Sequence, residues 1–252
     1  MIVQDARNPR AVAIAQKLQA LSIPDDLIVV VGGDGFLLQT VAGLGLDRPY
    51  LGINGGNLGF LLNDVDEWDV VAEKINRGAW AVQAFPLLEA HITLDDGKTV
   101  TERALNDVYL ERMTGQTARL TLFFDGHKVV DPLVADGVIF ATALGSTAYN
   151  YSAGGPACHP TLQVLSVTPI CPHLPRLSPV ALPAASRARV QVRRPEHRPV
   201  RAVADGREVN HISAVEVGYG SEVVQLAYLE GHDFTARMVR KLLHPSRPVN
   251  AR

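Results

Sequence analysis

The sequence predicts an α/β amino-terminal domain with an open, mostly parallel sheet, followed by a β-sandwich-like carboxy-terminal domain. Three observations carry that expectation. A continuous β-branched run, Leu27-Ile28-Val29-Val30-Val31, passes straight into Gly32-Gly33-Asp34-Gly35, the pattern of a strand buried on both faces of a parallel sheet. The strand–glycine turn–helix pattern then recurs, as in small open α/β sheets. From about Phe85 onward, short alternating segments separated by turn residues replace it, which is a β-rich pattern.

Taken in order, residues 9–21 show helical spacing, with Val12, Ala15, Leu18 and Leu21 on one face behind an Asn8-Pro9 start. After the 27–31 strand and its glycine turn comes a helical stretch, Phe36 to Leu44. A second short strand, Tyr50 to Ile53, ends in the turn Asn54 to Gly59, and a helix from Val65 to Asn76 follows. Trp68 and Trp80 flank that helix and are expected to pack it on the sheet. The β half offers Glu89–Leu94, Leu105–Glu111, Arg119–Phe124, Gly137–Thr142, Arg189–Val192, Val215–Val217 and Glu222–Leu229. Proline-dense 169–183 reads as a loop or edge, Asp233–Leu243 regains helical spacing, and 244–252 reads as a frayed tail.

Composition narrows the class without naming it. The chain has 252 residues, 47% hydrophobic and 20% charged, with a formal net charge of -2. These values suit a soluble globular protein and give no broad surface for nucleic acid or an anionic membrane. No apolar stretch reaches the roughly 18 residues of a membrane span. The start, MIVQDARNPR, lacks a signal pattern, so a cytoplasmic location is expected. Two cysteines, Cys158 and Cys171, make no disulfide framework and sit in no metal-ligand motif. Between Arg176 and Arg207 eight arginines face only Glu196 and Asp205. They read either as a solvated face or as a long-range attractor of phosphate.

Asp34 is the first candidate for chemistry. A carboxylate between Gly33 and Gly35, directly after a buried strand, stands where open α/β sheets place ligands. Glycines let backbone approach a phosphate, and the following helix offers free N–H groups. A carboxylate in place of the phosphate-binding lysine points to handling of a proton or a metal. The plainer alternative is a tight turn in which Asp34 caps the helix. A second cluster runs from Asp136-Gly137 through Gly145 to Pro156, GSTAYNYSAGGP. Its backbone amides, hydroxyls and tyrosines suit a ribose, a carboxamide and a ring. Asn106 and Asp107 interrupt the apolar run ALNDVYL, so at least one needs a buried partner, either a ligand diol or a backbone carbonyl.

Together GGDG, LGINGGNLGFL (51–61), ALNDVYL (104–110) and DGVIFATALGSTAYNYSAGGP (136–156) resemble the bacterial NAD kinases in order and spacing. The likeness continues through TPICPH (168–173) and Asp205-Gly206, over nearly the whole chain. It implies an α/β domain of residues 1–84 and 233–252, a β-rich NAD-binding domain of residues 85–232, and NAD held in a cleft between them. Asp34 would take the proton from the 2′-hydroxyl of the adenosine ribose. Asn106 and Asp107 would meet the adenosine side, and Phe60 would lie near the adenine. Asp136, Thr147, Ala148, Tyr149, Asn150, Tyr151 and Ser152 would receive the nicotinamide half.

ATP or polyphosphate would be the donor, with Mg²⁺ arriving on it and no dedicated metal cage. A homodimer or homotetramer is implied. The chain departs from the family pattern at Ala143-Leu144 in place of Pro-Thr, and at Ser178, Phe36 and Arg207. Two alternatives follow: an inactive or weak NAD(P)-binding sensor, and a kinase of the same superfamily acting on another alcohol such as a lipid.

Overall fold

The computed structural model describes residues 1–56 and 59–243. In chain order its elements are β1 (Ile2–Gln4), α1 (Pro9–Leu18), β2 (Ile28–Gly32), α2 (Asp34–Leu44), β3 (Tyr50–Asn54), α3 (Trp68–Asn76), β4 (Trp80–Leu94), β5 (Thr99–Ala104), β6 (Asp107–Arg112), β7 (Ala118–Phe124) and β8 (His127–Ala135). There follow β9 (Gly137–Thr142), α4 (Tyr149–Ser152), β10 (Val164–Ile170), β11 (Val180–Pro183), β12 (Ala188–Val192), β13 (Val200–Ala204), β14 (Arg207–Val209), β15 (Ile212–Leu229) and α5 (Phe234–Leu243). Among the described residues no helix is long and apolar enough to cross a membrane. The chain forms two compact units, residues 1–85 with 223 onward, and residues 86–222.

In the first unit β1, β2, β3 and the end of β15 lie side by side, all parallel. Every residue of β2 and β3 is buried, which is why the β-branched run carries no alternation. One face is covered by Ala11, Ile14, Ala15 and Leu18 of α1 and by Val71 and Ile75 of α3, packed on Val29, Val31, Leu51 and Ile53. Trp68 and Trp80 pack against the same cluster, as their flanking positions suggested. The start of α1 follows the Asn8-Pro9 signal: the Asn8 side chain accepts from the amides of Arg10 and Ala11, and Pro9 takes the first helical position.

The second unit is two antiparallel sheets around one core. One sheet runs β11-β10-β9-β6-β13-β14. The other contains β8, β7, β12 and the first part of β15, with β4 paired to β5. Val108, Leu110, Val138, Phe140, Leu165 and Val167 from the first sheet meet Leu88, Ile92, Leu120, Leu122, Val190 and Val215 from the second. This is the expected sandwich.

Several boundaries move. The helix expected over 9–21 stops at Leu18, and the one expected from Val65 starts at Trp68. The two segments Val215–Val217 and Glu222–Leu229 are one strand of 18 residues. Its first part pairs with β12 and its end pairs with β3, so residues 223–232 join the first unit and not the β-rich one. The 169–183 stretch carries the end of β10 and an edge strand, β11. Edge strands tolerate proline, which explains why its composition hid it. The tail of 244–252 lies outside the described residues.

Asn63 fastens the first sheet to the loop that follows β3. Its side-chain amide donates to the carbonyls of Gly52 and Ala227, and its oxygen accepts from the amide of Leu229. It is buried, so truncation removes three hydrogen bonds, including those to the Ala227 carbonyl and the Leu229 amide, while the Gly52 carbonyl keeps the backbone amide of residue 63. Asn63→Ala should therefore lower unfolding free energy by about 2–4 kcal/mol, read from urea denaturation; a loss under about 0.5 kcal/mol would mean water replaces the side chain.

Candidate active site

Asp34 opens α2, with extended Gly33 before it at φ -99 and ψ 173. It is the first helical residue and not the cap, and Gly33 makes no side-chain cap bond. The capping alternative is therefore not what the fold uses. Both oxygens of Asp34 are oriented by backbone donors: Oδ2 accepts from the amide of Phe60 at 2.7 Å and Oδ1 from that of Leu61 at 3.1 Å. These amides fix the carboxylate's plane, and a carboxylate has about four acceptor positions in all. Gly59 lies tightly beside it, and its neighbours would have to shift by a few tenths of an ångström to admit a side chain. A Cβ there would stand 3.1 Å from Oδ1 and 3.2 Å from Leu62.

The loop that supplies those amides is itself tied down by groups the sequence reading did not single out. Asn54 donates to Asp64 Oδ1 at 2.9 Å and accepts from the amide of Gly56. Arg237, on α5, donates to Asp64 Oδ2 at 2.9 Å and to the carbonyls of Gly59 and Leu62. Arg240 reaches the same Oδ2 at 2.6 Å. Thus α5 packs into the first unit by clamping the loop that orients Asp34. The available signal was the pair of asparagines in INGGN and LLND, polar groups at the ends of apolar runs. Gly35 lies in the first turn of α2, and Phe60 is half-buried.

In the second unit, strand alternation puts Asp107, Tyr109 and Glu111 on the face of β6 opposite the main core. Across the ladder they pair with Ala141, Ile139 and Gly137. A small apolar cluster forms there, Ile139, Ala141 and Ile170, with Tyr109, Tyr149 and Ala153 packed against it. Tyr109 and Tyr149 meet edge to face at 5.0 Å. Asn106 does not lie in the strand as expected but in the bend before it. Its side-chain oxygen is buried and has no hydrogen-bond partner. Its backbone oxygen accepts from the amide of Thr142 at 2.9 Å. Gly145 is forced, because a Cβ there would lie 2.1 Å from that backbone oxygen.

Asp205 holds the bend in place. It sits in the left-handed region at φ 44, before Gly206 at φ 83, in the two-residue turn joining β13 to β14. Its carboxylate accepts from the amides of Leu105, Asn106 and Asp107 at 2.6, 3.0 and 3.3 Å. Asp107 is buried, and its carboxyl is pushed up to about 7, first by desolvation and then by the charge of Asp205. Burial also raises Asp205, while the three amides oppose that rise.

The predicted loop residues divide. Thr147, Ala148 and Tyr149 are half-buried, and Tyr151 and Ser152 are exposed. Asn150 is a correction. Its amide donates to the carbonyls of Ser146 and Pro156, and its oxygen accepts from Thr168 Oγ1 at 2.6 Å. It is wholly buried, so its side chain is spent on holding the loop closed. Asp136 accepts from Arg112 Nε at 2.6 Å, and that guanidinium also bonds the carbonyl of Thr114. Among the described residues no group of three or more His, Cys, Asp or Glu side chains could hold a metal ion.

An α/β unit with a carboxylate at its strand–helix turn, and a β sandwich with a polar bend, is an architecture shared with known proteins. Residues 105–224 match the family described as the ATP-NAD kinase C-terminal domain. The chain is 35% identical over 229 residues to the NAD kinase of Clostridium beijerinckii, covering 88% of this chain and 80% of that one. It is 36% identical over 244 residues to that of Cereibacter sphaeroides, covering 95% and 93%. A yeast NADH kinase solved with NADH superposes with a TM-score of 0.77 at 28% identity, covering 90% of this chain and 68% of that one. An Archaeoglobus fulgidus NAD kinase solved with ATP gives 0.71 at 25% identity, covering 91% and 93%. The chain belongs to the NAD kinase family.

The raised carboxyl of Asp107 makes stability depend on pH. Between the ordinary carboxylate range and about pH 7 the folded chain binds more protons there than the unfolded chain. Stability therefore falls as pH rises across that window. Asp107→Asn should flatten the slope and stabilise the protein at pH 8 by an amount on the order of 2–4 kcal/mol, read from unfolding midpoints between pH 4.5 and 8. Parallel curves for the two proteins would exclude Asp107 as the source.

Proposed function

We propose that this chain phosphorylates NAD on the 2′-hydroxyl of the adenosine ribose, giving NADP, with ATP or polyphosphate as donor. The observation that carries the reading is the placement of Asp34, a carboxylate at the buried strand–helix turn whose plane is set by two amides. An alcohol at neutral pH is a poor nucleophile, and a carboxylate held in a fixed orientation can accept its proton as it attacks. The oxygen–phosphorus bond forms to the terminal phosphoryl group while that group's bond to the leaving phosphate breaks. The proton passes to Asp34, and ADP departs when ATP is the donor. Mg²⁺ comes as part of the donor salt, so the chain needs no cage for it.

Asn106 and Asp107 bind the hydroxyls on the adenosine side in this reading. The buried, unpartnered oxygen of Asn106 is an acceptor matched to a hydroxyl donor, which favours the diol over the backbone carbonyl as its partner. Phe60 lies near the adenine, and Asp136, Thr147, Ala148, Tyr149, Tyr151 and Ser152 serve the nicotinamide half. Family resemblance alone supports the setting, a cytoplasmic homodimer or homotetramer.

Incubation with NAD, ATP and Mg²⁺, followed by an NADP-specific dehydrogenase, tests the reaction. Asp34→Asn should lower kcat by about 10²–10⁴-fold with intact NAD binding. Equal turnover in the variant would remove Asp34 from the proton-transfer role. NAD binding without product from the unaltered chain would favour the sensor, and product from a lipid alcohol would favour the other kinase.

The same assay reads Asp107. A diol donates to the ionised carboxylate and loses that acceptor when it is protonated, so KM for NAD should fall as pH rises through about 7. Asp107→Asn should make KM nearly independent of pH between 6 and 8. A flat profile in the unaltered protein would overturn the assignment.

A further inference from the structure

Part of the arginine-rich segment is ion-paired in the folded chain, and two of its arginines line a cavity. Arg201 pairs with Glu111 and Glu208, and Arg207 with Glu102. Arg198 donates to Thr117. In the second unit, however, a cavity of about 310 Å³ is lined by Arg119, Asp131, Pro132, Arg193 and Arg194. Three guanidiniums face a single carboxylate there.

That carboxylate is already matched. Arg193 Nη2 grips both oxygens of Asp131 at 2.7 and 2.8 Å. Thr121 donates to Asp131 at 2.9 Å, and Lys128 approaches at 3.3 Å. The Arg193 hydrogen bond, followed by that of Thr121, holds the Asp131 carboxyl down at about 2, so it stays ionised and committed to these donors. Arg119 and Arg194 have no ion pair among the described residues, and neither carries an interaction beyond those of its backbone. The Nε of Arg119 is buried without an acceptor. A donor stripped of water and left unbonded is costly unless something else supplies the acceptor.

We infer that Arg119, Arg193 and Arg194 form a binding site for a small phosphate anion, of the inorganic phosphate, pyrophosphate or polyphosphate-end class. Guanidinium forks match phosphate oxygens in geometry and charge, and two uncompensated guanidiniums suit a doubly charged anion. The cavity lies at the small end of ligand pockets, which begin at roughly 300 Å³, and no aromatic ring lines it. It therefore recognises the phosphate and not a nucleobase. The inference is independent of the role proposed for Asp34, which belongs to the other unit.

Isothermal titration of inorganic phosphate, pyrophosphate and long-chain polyphosphate into the full chain at constant ionic strength tests it. Four proteins are compared: the unaltered chain, Arg119→Gln/Arg194→Gln, the single Arg194→Gln, and Asp34→Asn. Pyrophosphate should bind the unaltered and Asp34→Asn proteins equally. It should bind about tenfold or more weakly to the double variant, and about threefold more weakly to the single variant. The single change is on an exposed side chain and keeps the test valid if the double variant does not fold. Tighter binding of polyphosphate per chain end than of free phosphate would identify the chain end as the ligand, and the reverse would identify the free ion. Both uphold the site. Equal affinity in the unaltered and Arg194→Gln proteins, loss of binding in Asp34→Asn, or no binding of any of the three anions would overturn it.

Discussion

The placement of one carboxylate depends on a loop that has no regular structure of its own. Asp34 is oriented by the amides of Phe60 and Leu61, and those amides are where they are because residues 59–64 are fastened from three directions. Asn63 ties the loop to β3 and to the end of β15. Asn54 ties it through Asp64. Arg237 ties its carbonyls and Asp64 to α5. In the proposed role of base Asp34 needs such support, because a small displacement of a reacting group can cost about 10²-fold in rate. The end of β15 and helix α5, distant in sequence, belong to the first unit for this reason.

The polar bend in the second unit is built on the opposite economy of charge. Asp205 gathers three backbone amides and so is stabilised where it sits. Asp107 receives no such compensation and is desolvated beside it. One carboxylate thus organises the backbone, and the other is left as a desolvated acceptor whose protonation is balanced near neutrality. The environment, and not the residue type, separates the two roles. A diol donating to Asp107 would relieve the same desolvation that weakens the empty protein, which links the loss of stability above neutral pH to tighter binding there.

Most of the architecture is legible in the sequence. The unbroken run Ile28 to Val31 announced a doubly covered strand, and Asn8-Pro9 announced a helix start. What stayed hidden was set by long-range pairing. Strands β1, β5, β8 and β14 are short or polar, and their partners define them more than their own residues do. The continuity of β15 was hidden by Gly218 and Gly220, which read as a break. Within the site, Asp34, Asn106 and Asp107 stood out because a polar group beside glycine or inside an apolar run is conspicuous. Asn63, Asp64, Arg237 and the amide-gathering role of Asp205 did not, because their importance lies in what they touch across 100 or more residues of chain. Asn150 erred in the other direction: set in a motif of ligand-facing residues, it points inward.

The same inward geometry bears on the clearest departure from the family pattern. Ala143 and Leu144 replace a proline and a hydroxyl, yet both side chains are buried, at 2% and 4% exposure. The turn they occupy has its polar groups answered by its neighbours. Thr142 Oγ1 donates to the carbonyl of Leu105 and accepts from the amide of Gly145. Ser146 Oγ donates to the carbonyl of Ala143 and accepts from the amide of Cys158. These bonds are all made without a hydroxyl at 144. An apolar pair there fills space beneath the loop, so the departure acts on how firmly the loop is packed and leaves the half-buried Thr147, Ala148 and Tyr149 in place above it.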